Sequence, residues 1–126
     1  MYKQGDIVSV KFPFTDLSSA KLRPALIVSN AIIDNTGDVV IVMITSQQRE
    51  DGLNLPITEN DIDVKLPKQS YVRCHRLATI DMGIVESKIG EITISFLNQI
   101  ASEVKSIIDI ETSQESAMAE FVASQL

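Results

Sequence analysis

Tryptophan is absent from this chain, and histidine and cysteine occur once each, as His75 and Cys74. A single cysteine cannot close an internal disulfide, which points to a reducing, cytoplasmic setting. One histidine and one cysteine cannot supply the nitrogen and sulfur ligands of a zinc cage, so no metal and no cofactor is expected. No apolar run approaches the roughly 20 residues that cross a bilayer, so no membrane association is expected. Met1 to Asp6 has no apolar region of the signal-peptide kind. A basic excess is missing too: 11 Lys and Arg stand against 17 Asp and Glu, a formal net charge of −6. Taken as a whole, that balance argues against a nucleic-acid partner.

The distribution of charge changes this reading. Residues 109–126 carry Asp109, Glu111, Glu115 and Glu120 with no base, which is −4 of the −6. Residues 65–76 carry Lys65, Lys68, Arg73 and Arg76 with no acid. The body is therefore nearly balanced and contains one basic segment. With 126 residues and 44% apolar content, the chain suits one core. The expected division is a domain over 1–110 and an acidic tail over 111–126, a short helix or disordered.

Alternating Ile7, Val8, Val10 and Phe12 against Asp6, Ser9 and Lys11 predict a strand over 6–12, ended by Pro13. Ala25-Leu26-Ile27-Val28 and Val39 to Ile44 are almost continuously apolar and β-branched, as central strands are. Asp34-Asn35-Thr36-Gly37 reads as the turn between them. Residues 15–22 and 46–51 are polar loops. Further short strands are expected around 53–57, 62–66, 70–74, 77–80 and 89–92. The period then changes: Phe96, Leu97, Ile100, Ala101, Val104, Ile107 and Ile108 fall at helical spacing, with Thr93 or Ser95 as the cap. Ala117, Met118, Phe121 and Val122 offer one more short helical face. Many short strands and one C-terminal helix predict a mainly β fold, a small curved β-barrel with a helix packed on it.

Chemistry concentrates at Arg23-Pro24. Proline biases the arginine toward extended backbone. A planar, permanently charged guanidinium at the mouth of a strand suits phosphate. Thr45 and Ser46, closing the next strand, add two hydroxyls. On the residues alone, Arg23 reads first as a surface partner of Asp16, and Thr45-Ser46 as ordinary strand termination. His75 is the one side chain whose ordinary pKa lies near neutrality. In a regular strand, Arg73 and His75 share one face, with Cys74 and Arg76 on the other.

Seven segments come in a recognisable order. They are Gly5-Asp6-Ile7-Val8, Phe12-Pro13-Phe14-Thr15-Asp16, Lys21 through Ser29, Ile44-Thr45-Ser46, Ser70-Tyr71-Val72-Arg73, Ala78-Thr79-Ile80-Asp81 and Lys88-Ile89-Gly90. Over residues 5 to about 108 the chain resembles the MazF/PemK toxin family, in its PemK-like branch. The resemblance implies an SH3-like barrel, a homodimer and the toxin of a type II toxin–antitoxin pair, so a cognate antitoxin is an expected partner. It also implies a metal-independent endoribonuclease acting on single-stranded RNA, leaving a 2′,3′-cyclic phosphate and a 5′-hydroxyl. The family's catalytic arginine and threonine fall on Arg23 and Thr45. Thr15, Asp16, Lys21, Ser46, Arg73, His75 and Arg76 are the candidate substrate contacts. Family members carry an acidic or amide residue and an arginine before Thr-Ile-Asp; here that stretch is Cys74-His75-Arg76-Leu77-Ala78. Two other readings share the fold: a non-enzymatic toxin like the gyrase-binding CcdB, whose target-engaging tryptophan is missing here, and a family member that only binds an antitoxin.

Overall fold

A computed structural model describes residues 2–11, 21–111 and 121–125. Among these, six strands run β1 (Asp6–Lys11), β2 (Leu22–Ile27), β3 (Asp38–Thr45), β4 (Asn54–Ile57), β5 (Ser70–Asp81) and β6 (Val85–Glu91), followed by the helix α1 (Ile94–Ile108). All pairings are antiparallel, and the order across the sheet is β4-β5-β3-β2-β1-β6. This is the expected mainly β architecture with a C-terminal helix.

Strand β3 sits near the middle and is buried on both faces. Val42 and Ile44 join a core with Ile7, Leu26, Val72 and Cys74, closed by Phe96 and Ile100 of α1. Val39 and Ile41 join a second core with Val8, Val10, Ala25, Ile27 and Ile80. Odd and even positions of one strand thus serve different cores, which is why its sequence is a continuous apolar run rather than an alternation. Helix α1 begins where the Thr93 side chain accepts the Phe96 N–H at 3.2 Å, so Thr93 is the cap and Ser95 is not.

Two expected short strands, 70–74 and 77–80, are one strand of 12 residues. They look separate in sequence because β5 bulges between them. Val42 pairs with Leu77 and Ile44 with Val72, so β3 advances two residues while β5 advances five. The odd surplus reverses the side-chain parity of β5. Even-numbered Val72 and Cys74 enter the core under α1, whereas even-numbered Ala78 and Ile80 belong to the other.

Residues 62–66, expected as a strand, form none; a lone bridge joins Ile62 to Ile92. The Asp61 carboxylate accepts both the N–H and the hydroxyl of Thr58 at 2.8 Å, and the backbone turns there instead of extending. This segment acts as a strap. Asp63 Oδ1 accepts the Glu91 N–H at 2.8 Å, and the Asp63 N–H reaches Glu91 O at 3.2 Å. Chain leaving one edge strand, β4, thereby crosses to the end of the other, β6. The turn expected at 34–37 is the end of a 3-10 helix, Ala31–Thr36, closed by Gly37 at φ 80°. Residues 121–125 are helical, with Phe121 and Val122 exposed; Ala117 and Met118 lie outside the described residues.

The strap lies so close that a side chain at Gly90 has no room. A Cβ there would come within 2.8 Å of Val64 Cγ2 and 3.0 Å of Asp63 Oδ1. Gly90→Ala is expected to destabilise the protein by about 1–3 kcal/mol, the usual range for overpacking. Urea denaturation measures it, and a midpoint equal to that of the parent would show that the strap yields freely.

Beside the strap, Asp6 is fully buried and ion-paired with Lys88 Nζ at 3.1 Å and Lys3 Nζ at 3.5 Å. Glu91 completes the group by pairing with Lys3 and Lys88. The Lys3 and Lys88 ammoniums hold the Glu91 carboxyl below its ordinary 4.5. The carboxylates in turn raise both lysines above 10.5. A depressed acid contributes stability above its unfolded value and loses it as pH falls through the folded one. Raised lysines contribute below 10.5 and lose that contribution as pH rises further. The cluster therefore supports the β1–β6 edge between these limits. Glu91→Gln should flatten the acid limb of a thermal-stability profile below pH 4.5. An unaltered limb would place the acid sensitivity elsewhere.

Candidate functional site

Strands β2 and β3 pair with Ala25 opposite Met43, Leu26 opposite Val42 and Ile27 opposite Ile41. The ladder ends at Ala25 and Met43, and Arg23 and Thr45 each lie two residues beyond that last pair, at the same end of the sheet. Arg23 is flanked on its other side by Val10 of β1, and Thr45 by Tyr71 of β5. Two residues 22 positions apart in sequence are thus neighbours at the sheet's end, one exposed and one half-buried.

Both line a cavity of about 390 Å³ at that end. Its polar lining comprises the cations Arg23 and Lys68, the hydroxyls of Ser9, Thr45, Ser46 and Ser70, and the amide of Gln47. Among the described residues no carboxylate lines it, in a chain whose net charge is −6. Ile7, Ile44, Ile89, Leu66 and the two prolines Pro24 and Pro67 supply apolar walls. Removal from bulk water along these walls strengthens whatever the cations and hydroxyls do. A larger groove of about 540 Å³ adjoins it across Leu66, Pro67 and Lys68, but mixes Lys65 with Glu59 and Asp63. The smaller cavity combines a guanidinium with hydroxyls and, among the described residues, has no acid in its lining.

Thr45 is held locally. Its Oγ1 accepts the Gln47 N–H at 3.1 Å, leaving the hydroxyl proton to donate outward. Ser46 follows at the exposed start of the loop after β3. Of the other candidate contacts, Lys21 is exposed just before β2 and does not line the cavity. Thr15 and Asp16 lie outside the described residues, and with them the proposed Arg23–Asp16 pair.

Arg73 and His75 do share a face, as alternation predicts, yet neither lines the cavity. Arg73 Nη1 donates to both carboxylate oxygens of Asp51 at 3.0 Å and to Asn54 Oδ1 at 2.8 Å. Only 14% of the Arg73 side chain is exposed. Its Nη2 lies 3.3 Å from His75 Nε2. A guanidinium can only donate, so Nε2 is the acceptor in this contact, and Nδ1 is buried without a partner among the described residues. Arg76 is exposed within the bulged segment and does not line the cavity. Burial pushes the Cys74 thiol up to about 11, so it packs as a protonated apolar group.

Ser9, Gln47 and Ser70 were not among the sequence candidates. Ser9 interrupts an apolar strand opposite Pro24, and that break was the available signal. Gln47 and Ser70 give none, because their place depends on where the loops fold. Among the described residues, no three of His, Cys, Asp and Glu gather as a metal cage requires.

Comparison with known proteins identifies the family and the fold. The family model described as PemK-like, MazF-like toxin of type II toxin-antitoxin system matches residues 3–108, and the chain belongs to that family. Its fold is similar to an endoribonuclease from a mycobacterial species solved in complex with its cognate antitoxin, with TM-score 0.70 at 21% identity over 88% of this chain and 100% of that one. It is also similar to MazE–MazF from Deinococcus radiodurans, with TM-score 0.68 at 18% identity over 87% and 97% of the two chains. The Mycobacterium tuberculosis toxin MazF-mt6 aligns with TM-score 0.66 at 20% identity over 84% and 98%. No curated protein sequence matches the chain.

Proposed function

We propose that this toxin is a metal-independent endoribonuclease whose reacting centre is the cavity shared by Arg23 and Thr45. The observation that carries the reading is that these two residues line one cavity whose polar lining, among the described residues, is cations, hydroxyls and an amide with no carboxylate. The relative of known structure named an endoribonuclease, bound to its antitoxin, supports RNA as substrate and an antitoxin as partner.

RNA carries its own nucleophile. The 2′-oxygen forms a bond to phosphorus as its proton leaves, and the bond from phosphorus to the 5′-oxygen breaks as that oxygen gains a proton. The products are a 2′,3′-cyclic phosphate and a 5′-hydroxyl. Negative charge builds on the non-bridging oxygens in between, and donors already aimed at them lower the barrier. Arg23 offers a planar charged fork, Thr45 and Ser46 offer hydroxyl protons, and Lys68 adds a second cation. Thr15, Asp16 and Lys21, from the segment leading into β2, complete the contacts to the strand. Arg76 is left to meet phosphates outside the cavity. His75, held against Arg73, influences sequence preference rather than the chemical step. Two protomers related by a two-fold axis form the working unit, and the acidic segment after Ile110 is dispensable for cleavage.

Purified protein incubated with a long mixed-sequence RNA in EDTA should yield discrete 5′-hydroxyl ends. Arg23→Ala should lower the rate by about 10²–10³, the usual loss for one such donor, and Thr45→Ala by a similar order. Thr45→Ser should keep part of the activity. Wild-type cleavage by a folded Arg23→Ala protein would refute the assignment, and cleavage that appears only when a divalent metal is restored would refute metal independence. Sedimentation at micromolar concentration should show a dimer, and a monomer there would count against the two-fold unit. Truncation after Ile110 should leave cleavage in place; a folded, inactive truncation would give the tail a role.

A further inference from the structure

We infer that Arg73 is a positioning residue that sets the Thr45 hydroxyl through Asn54 and Gln47. This rests on the reading of Thr45 given above. The loop after β3 has little else to hold it: every side chain from Ser46 to Gly52 is exposed. A loop without apolar anchors keeps a geometry only through its hydrogen bonds. Those bonds form one continuous chain. Arg73 Nη1 donates to Asn54 Oδ1 at 2.8 Å, and Asn54 Nδ2 donates to Gln47 O at 3.2 Å. The Gln47 N–H then donates to Thr45 Oγ1 at 3.1 Å.

The far end of the chain is rigid. Arg73 lies between Val72 and Cys74, which are 0% and 1% exposed in the core. Its second grip, on the Asp51 carboxylate at 3.0 Å, holds the tip of the same loop. Leu53 reinforces that grip, its N–H donating to Asp51 Oδ1 at 3.1 Å while its carbonyl accepts the Cys74 N–H at 3.1 Å. The Leu53 N–H and the Arg73 guanidinium together keep the Asp51 carboxyl below its ordinary value, so the grip stays charged at neutral pH. At the near end, the lone pair that takes the Gln47 N–H fixes where the Thr45 oxygen sits and leaves its proton as the group presented to a phosphate oxygen. Arg73 therefore acts on the reaction without touching RNA.

Asn54→Asp tests this with little change in shape. It keeps an acceptor for Arg73 and removes the amide donor to Gln47. The expected result is a kcat lower by about 10-fold, the scale of a small misplacement at a reacting group, with KM within about twofold. Arg73→Lys keeps the charge but cannot hold Asp51 and Asn54 together, and should give the same split. Hydrogen exchange at the Gln47 amide should speed up by about 10-fold in both variants, as a local opening would. In a Thr45→Ala background, Asn54→Asp should cause no further loss, because the group being positioned is gone.

An unchanged kcat, or an equal loss on top of Thr45→Ala, would overturn the inference. A loss that only tracks the folded fraction, with kcat and thermal stability falling together, would reduce Arg73 to a structural role. If Thr45→Ala alone cleaves at the parent rate, Thr45 leaves the reaction and this inference falls with it, while Arg23 stands or falls on its own variant. If the parent cleaves no RNA, the proposed function fails, and unchanged exchange at Gln47 would separately show that the relay is absent.

Discussion

Asp6 is the one charged side chain fully buried among the described residues, and much of the molecule is arranged around keeping it paired. A carboxylate removed from water must meet opposite charge or hydrogen-bond donors, or it will not remain ionised. It takes the Lys3 N–H at 2.9 Å and the ammonium of Lys88 at 3.1 Å. Lys3 belongs to the turn before β1 and Lys88 to β6, so satisfying one charge fixes three parts of the chain together. The end of β6 then becomes a defined landing place. Glu91 shares the lysines through its side chain and receives the strap through its backbone. The strap leads directly to Leu66, Pro67 and Lys68, which wall the cavity. A buried charge at one end of the sheet is in this way connected to the shape of the site at the other.

The site itself has a simple origin. Arg23 and Thr45 are brought to one end of the sheet by the β2–β3 ladder, whose last pair lies two residues inside them. Nothing about either residue in isolation announces this. What fixes their meeting is the apolar run of β3 against the apolar run of β2, each buried so completely that a slip by one residue would exchange the two cores. The hydroxyl and the guanidinium take their places from hydrophobic residues that never approach a substrate. The loop after β3 contributes in a different way, through polar contacts between Gln47, Asn54, Asp51 and Arg73 rather than through burial.

Strands β1 to β3, the helix and its Thr93 cap could be read from period and composition, because each is an apolar pattern with local punctuation. The arrival of Arg23 and Thr45 at one cavity could be anticipated from motif order. Other features depended on distant contacts. Residues 62–66 carry strand-like alternation, yet Asp61 folds back onto Thr58 and only Ile62 reaches a partner. Strand β5 looked like two because its bulge contains the polar run Arg73 to Arg76, which reads as an interruption. Arg73 belonged to the basic segment and looked available to phosphate. Its partner Asp51, 22 residues earlier, decides otherwise, and no local rule connects the two.

The bulge in β5 also gives the chain something like a reading frame. Upstream of it, even-numbered residues face the core beneath the helix; downstream, even-numbered residues face the other. A substitution between Arg73 and Arg76 leaves that frame intact. Loss or gain of a single residue there does not, for it would turn Ala78 and Ile80 out of their core and swing Leu77 and Thr79 into it. The length of this short segment is therefore under tighter constraint than its composition. Arginine, a buried cysteine and histidine stand in it here, and the frame downstream depends on their number.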